Sequence, residues 1–205
     1  MAVEVVAGLG NPGPRYEGTR HNAGFLVVDE LARRLGGRFR REGRGDALRE
    51  EARVSLGGVG GGPGVELLLV KPQSYMNLSG TPVQAVLART RVTPSQLLVV
   101  HDDVDLPLGR LRFKRGGGAG GQRGVRDVIA KVGADFLRLK VGVSRPPPGW
   151  ATDGWVLSRF QEGEQGVLGR VIAAAADAVE CLYREGLDAA MNRTNGLDLA
   201  APEEV

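Results

Sequence analysis

The chain has 205 residues, 42% hydrophobic and 25% charged, with 27 Lys and Arg against 24 Asp and Glu for a formal net charge of +3. That length suits one domain with a full-sized core, and no apolar run approaches the roughly 18 residues that a membrane helix needs. A lone Cys181 excludes an intramolecular disulfide and, beside only two histidines, argues against a structural zinc site.

In chain order, the first apolar run, Val3–Gly8, reads as a strand, and with no basic segment ahead of it no secretory signal is expected, which makes the cytoplasm the default location. It runs into Gly8-Leu9-Gly10-Asn11-Pro12-Gly13, a literal match to the glycine pattern of dinucleotide-binding folds. That use needs the third glycine to open a helix, yet helical spacing begins only near Asn22, so a tight turn presenting Asn11 at a strand end is the better reading. Helical spacing follows over Ala23–Leu35, with Asn22 a candidate N-cap and His21 just outside the helix.

The glycine-rich Gly57–Gly64 reads as a mobile hairpin connection, and Val65–Lys71 as the strand after it. Lys71-Pro72-Gln73-Ser74-Tyr75-Met76-Asn77 then leads toward a helix over Thr81–Arg91. Leu97–Asp102 is the next strand, Arg110–Lys114 a strand with Leu111 and Phe113 on one face and Arg110, Arg112 and Lys114 on the other, and Phe136–Ser144 another strand. Helices are expected over Val125–Val132 and Glu164–Arg184. Strands alternating with helices predict an α/β fold, a single-domain three-layer sandwich with a twisted mixed central sheet flanked by helices over residues 1–196, and a flexible tail at 197–205.

Acid–base chemistry at neutral pH has two places to reside, His21 and His101, each in a polar setting. His101-Asp102-Asp103-Val104-Asp105 offers three carboxylates and an imidazole, which could hold an oxygen-preferring metal; the alternative is that Asp102 orients His21 as the acid of a catalytic triad does. From Arg110 to Arg126 there are six cations and no acid among interleaved glycines, consistent with a solvated basic face or with phosphate binding.

These stretches in this order, together with Gly116-Gly117-Gly118-Ala119-Gly120-Gly121 and Gly186-Leu187-Asp188-Ala189-Ala190-Met191-Asn192-Arg193, resemble the bacterial peptidyl-tRNA hydrolase family over about residues 3 to 195. The resemblance implies a monomeric, metal-free esterase without cofactor that cuts the ester between a peptide and the terminal ribose of tRNA. It implies His21 as the catalytic base and Asp102 as the acid that holds it. Asn11 and Asn77 then bind the peptide main chain and scissile carbonyl, Tyr16 and Met76 line the groove, and Lys114 and Lys140, with Arg112 close by, engage the tRNA 5′-phosphate.

One pair departs from the pattern: Gln122-Arg123 stands where the family commonly has His-Asn. Arginine cannot accept a hydrogen bond, so a substrate contact at Arg123 would be made to RNA phosphate or to the polarised carbonyl. The departure admits a rival, a non-catalytic RNA-binding relative, against which stands the joint presence of Asn11, His21, Asn77 and Asp102.

Overall fold

The structure is a computed structural model describing residues 5–57 and 64–201. Seven strands form one sheet: β1 (Val5–Gly8), β2 (Arg40–Glu42), β3 (Arg49–Leu56), β4 (Val65–Pro72), β5 (Leu97–Asp103), β6 (Leu111–Arg115) and β7 (Leu137–Gly142), in the order β2-β3-β4-β1-β5-β7-β6. The inner strands β4, β1, β5 and β7 run parallel, and β2, β3 and β6 add antiparallel pairs at the two sides. This is the mixed sheet expected from the alternation of strands and helices.

Among the described residues six α-helices accompany it, besides short 3-10 turns: α1 (Ala23–Arg34), α2 (Gly80–Thr90), α3 (Arg123–Val132), α4 (Thr152–Val156), α5 (Gln165–Glu185) and α6 (Leu187–Thr194). Alternate residues of the buried strands serve two cores. Val6, Leu98, Val100, Leu137, Leu139 and Val141 pack with Val27, Leu31, Val171 and Val179 of α1 and α5. Val5, Ala7, Leu97 and Val99 face Val83, Val86, Val125 and Val128 of α2 and α3 on the other side. A parallel strand buried on both faces reads as a continuous apolar run, which is why β1 and β5 stand out in the sequence.

The glycine turn after β1 serves close packing. A Cβ on Gly8 would collide with the Gly24 carbonyl and one on Gly24 with the Val100 carbonyl, while one on Gly10 would lie 2.7 Å from the Phe25 ring. Only a three-residue 3-10 turn, Pro14–Tyr16, follows Gly13 and α1 starts at Ala23, so the glycine turn does not open an α-helix as a dinucleotide site requires.

Two strands lie outside the sequence expectation, β2 and β3. In β3, Ala52, Val54 and Leu56 are buried in alternation on one face, but Arg49 and Glu51 are buried on the opposite face, and these charged residues at buried positions obscure the pattern. They are tolerated because Arg49 Nε donates to Glu51 Oε1 at 2.6 Å, and Arg89 of α2 engages the second oxygen. β3 and β4 pair as far as Leu56 opposite Val65; most of the connection expected to be mobile, residues 58–63, lies outside the described residues.

The expectation of a flexible tail from 197 meets a segment bonded as far as Leu199. Leu199 N donates to the Gly109 carbonyl, Arg110 reaches the Leu197 carbonyl and Asp198, and Arg170 reaches the Leu199 carbonyl. Residues 202–205 are outside the described residues.

Candidate active site

The topology makes a crevice at one end of the sheet. From β1 the chain crosses by α1 to β2, β3 and β4 on one side, and returns by α2 to β5 on the other, so the carboxyl ends of β1 and β5 flank a switch in strand order. A cleft of about 300 Å3 opens there, lined by Asn11, His21, Met76, Asn77 and Asp102 among others. Four segments far apart in sequence thus meet at one place.

His21 sits in a single 3-10 turn, Arg20–Asn22, leading into α1, with Nδ1 2.9 Å from Asp102 Oδ2 at the end of β5. A carboxylate only accepts hydrogen bonds, so Nδ1 carries the proton, and Nε2 is left with its lone pair on the far side of the ring. The turn is pinned by its neighbours. Arg20 is fully buried, stacked 3.7 Å above the Trp155 ring of α4, with Nη2 2.6 Å from Glu164 Oε2.

Asn22, expected to cap α1, has a different use. Its Oδ1 accepts from Asn11 N at 2.8 Å and its Nδ2 donates to the Asn11 carbonyl at 3.0 Å, so it clamps the backbone of the glycine turn. The Asn11 side chain is oriented in turn, because its Oδ1 accepts from Met76 N at 2.7 Å and leaves Nδ2 as the donor for the cleft. Sequence reasoning marked both asparagines; their reciprocal bonding depends on a loop path that no local pattern encodes.

Asn77 is exposed and lines the cleft. Tyr16 is not among the lining residues; its ring meets Tyr75, which is, edge to face at 6.4 Å between centroids. Arg123 is exposed at the rim, Nη2 2.7 Å from Asp153 Oδ2 of α4, so its charge is held across the cleft mouth. Gln122, which the sequence left without a role, is buried at the N-terminus of α3 and donates to Asp102 Oδ1 at 2.9 Å.

The other acids of the cluster do not converge. Asp103 pairs with Lys140 of β7, Asp105 lies 2.8 Å from Arg145, and no three His, Cys, Asp or Glu side chains come together as a metal cluster among the described residues. His101 is only 1% exposed, its Nδ1 2.7 Å from the Asp102 carbonyl, and burial pushes its imidazole down to about 4. It is therefore neutral near pH 7; both histidines border the cleft, and His21 is the one paired with a carboxylate side chain.

Arg112 and Lys114 are exposed on one face of β6, opposite Lys140 and Arg138 of β7 in the sheet register. Arg138 is buried, and its guanidinium donates to the carbonyls of Gly116 and Gly118, fastening the glycine loop. A His–Asp pair and asparagine side chains therefore line one crevice, together with Ala119, Gly120 and Gly121 of the glycine loop, whereas Arg112, Lys114 and Lys140 are not among its lining residues.

The comparisons with known proteins agree with this architecture. The sequence profile of the family described as peptidyl-tRNA hydrolase matches residues 5–202. The chain is 47% identical to a peptidyl-tRNA hydrolase of Synechococcus sp. (strain JA-3-3Ab) over 99% of this chain and 87% of that one. It is 48% identical to one from Rubrobacter xylanophilus, over 92% and 98%. A crystal structure of peptidyl-tRNA hydrolase from Acinetobacter baumannii superposes with a TM-score of 0.84 at 32% identity, covering 96% of each chain. Sequence over nearly the whole length and fold therefore point the same way, and the chain belongs to the peptidyl-tRNA hydrolase family.

Proposed function

We propose that this enzyme hydrolyses the ester between a peptide, or an N-blocked aminoacyl group, and the 3′-terminal ribose of tRNA, with His21 as general base. The observation that carries the proposal is the His21 Nδ1 to Asp102 Oδ2 contact of 2.9 Å inside the cleft that Asn11 and Asn77 also line. His21 Nε2 takes a proton from water as the water attacks the ester carbonyl, and Asp102 stabilises the imidazolium that forms. Charge develops on the carbonyl oxygen, where the Nδ2 groups of Asn11 and Asn77 are suitable donors. The ribose oxygen leaves and recovers the proton. An ester has a good enough leaving group for this set to suffice without metal, cofactor or covalent nucleophile.

Met76 and the Tyr16–Tyr75 pair provide the apolar side on which the peptide lies. We assign the acceptor stem and its 5′-phosphate to Arg112, Lys114 and Lys140, a contact to phosphates that is independent of base sequence. Lys140 is already paired with Asp103, so the exposed Arg112 and Lys114 contribute most. Arg123 meets substrate by releasing Asp153. Among the described residues no helix is long and apolar enough to cross a membrane, and we place the enzyme in the cytoplasm as a monomer.

The test is release of N-acetyl-aminoacyl groups from tRNA with EDTA present. Release by the wild type and loss of about 100-fold or more in His21→Ala, with tRNA affinity retained, is expected. Binding of tRNA without release would reassign the chain as an RNA-binding relative without turnover. EDTA-sensitive release restored by Mg2+ would restore a metal role to the acids of β5.

A further inference from the structure

We infer that Gln122 is a positioning residue for the reaction: its side-chain amide holds the second oxygen of Asp102 and thereby fixes the carboxylate that orients His21. The inference rests on the general-base assignment of His21 made above. Three contacts determine which way the amide faces. Gln122 Oε1 accepts from Val125 N at 2.7 Å, capping α3, so the other end of the amide is the donor. That donor, Nε2, lies 2.9 Å from Asp102 Oδ1 and 3.2 Å from Met76 Sδ. Reversing the amide would set an oxygen against a carboxylate and an N–H against an N–H, so the helix cap selects the orientation.

The carboxylate is consequently held at both oxygens, Oδ2 by His21 and Oδ1 by Gln122. Asp102 is 2% exposed and Gln122 8% exposed, so water has little access to take over Oδ1 if the amide is lost. A buried acceptor without a donor is costly, and the carboxylate would rotate toward any remaining donor, carrying the His21 ring with it. Space is also tight: a Cβ on Gly124 would lie 2.5 Å from Met76 Sδ and 3.1 Å from Gln122 Oε1. The same Met76 donates its backbone N–H to Asn11 Oδ1, so one packed unit joins the α3 N-terminus, the carboxylate and the asparagine of the cleft.

An amide donates at every pH. The second oxygen of Asp102 therefore has a partner that adds no ionisation of its own near neutrality. The other charges bordering the pair are matched: Asp103 by Lys140 from β7, Arg123 by Asp153 from α4, and Arg20 by Glu164. His101 on β5 is neutral in this range, with Arg138 of β7 facing it.

Gln122→Glu separates positioning from capping. A glutamate keeps an oxygen for Val125 N at the helix N-terminus, where negative charge is favourable, but replaces the donor to Asp102 by a second carboxylate. The expected result is kcat lowered about tenfold or more with KM within about twofold. The acid limb of kcat should move up by about one pH unit, since a nearby negative charge favours the imidazolium. The same rise should appear in the titration of the His21 ring proton by NMR, which is resolvable because the only other histidine is buried and titrates near 4. Gln122→Met, which has no donor for Asp102 and only a weak thioether acceptor, should lower kcat without raising the titration of His21, and it stands in if the glutamate variant fails to fold.

Wild-type kcat together with an unmoved His21 titration in Gln122→Glu would overturn the inference, as would wild-type kcat in a folded Gln122→Met. A wild-type protein that releases nothing from N-acetyl-aminoacyl-tRNA would defeat the hydrolase reading instead. The NMR titration would still decide whether Gln122 governs the His21–Asp102 pair.

Discussion

Folding takes one of the two imidazoles, His101, out of water and leaves the other, His21, half-buried in the cleft. His101 points its Nδ1 at the adjacent Asp102 carbonyl, and its Nε2 has no hydrogen-bond partner among the described residues. Burial holds its proton affinity down at about 4, against 6.5 in the unfolded chain. The unfolded state therefore binds a proton that the native state refuses between those values. Its contribution to stability is complete above about pH 6.5 and is lost progressively as the pH falls toward 4. In His101→Leu the pH dependence of urea unfolding should flatten by up to about 1.4 kcal/mol per pH unit across that window. Stability near neutrality should change little, because the substitution also removes an unpartnered buried nitrogen. An unchanged slope would mean that His101 is not held neutral. Its sequence setting, a strand end followed by acids, made it a candidate for acid–base chemistry; burial at the base of the cleft is what keeps it neutral.

At the scale of elements, the packing of α1 on the ends of β1 and β5 sets the position of His21. Gly24 lies where α1 touches the backbone of both Leu9 and Val100. Gly24→Ala should destabilise by roughly 1–3 kcal/mol or more, since backbone cannot yield as a flexible side chain does. Gly169 in α5 is the internal control: it is exposed with open space around its Cα, so Gly169→Ala should stabilise by about 0.4–1 kcal/mol. Equal melting shifts in the two variants would sink the close-packing argument. The same comparison explains what the sequence makes legible. Val5–Gly8, Leu97–Asp103 and the apolar positions of α1 repeat at strand or helix periods and are visible without a structure. β3 is hidden because Arg49 and Glu51 are buried on the face opposite its apolar residues and neutralise one another there, a compensation that needs Arg89 from another element. Likewise, His21 and Asp102 were legible as residue types at strand and helix ends, whereas the bonds of Asn22 and Gln122 to their partners depend on loop paths and could not be read locally.

For the whole molecule, the placement of unmatched charge says more than a net charge of +3. Many cations are consumed within the fold: Arg33 and Arg34 by Glu30, Lys71 by Asp29 and Glu50, Arg110 by Asp198, and Lys140 by Asp103. Arg112, Lys114 and Arg115 on β6 have no such ion pair among the described residues, and Lys114 lies against Gly117 of the glycine loop beside the cleft. β6 is also an outer strand of the sheet, where cationic side chains discourage pairing with another molecule. The two roles predict different losses. If the strand receives phosphate, Lys114→Ala should raise KM and reduce the slope of log KM against log salt by roughly 0.7–0.9, the release of about one counterion, with kcat nearly unchanged. If it only guards the edge, Lys114→Ala should leave the salt slope intact and show itself as self-association in light scattering. Lys140→Ala provides the contrast, because it removes a cation already paired and strands Asp103 beside Asp102. Its effect should fall on kcat and on the pH profile, with less change in salt slope than Lys114→Ala.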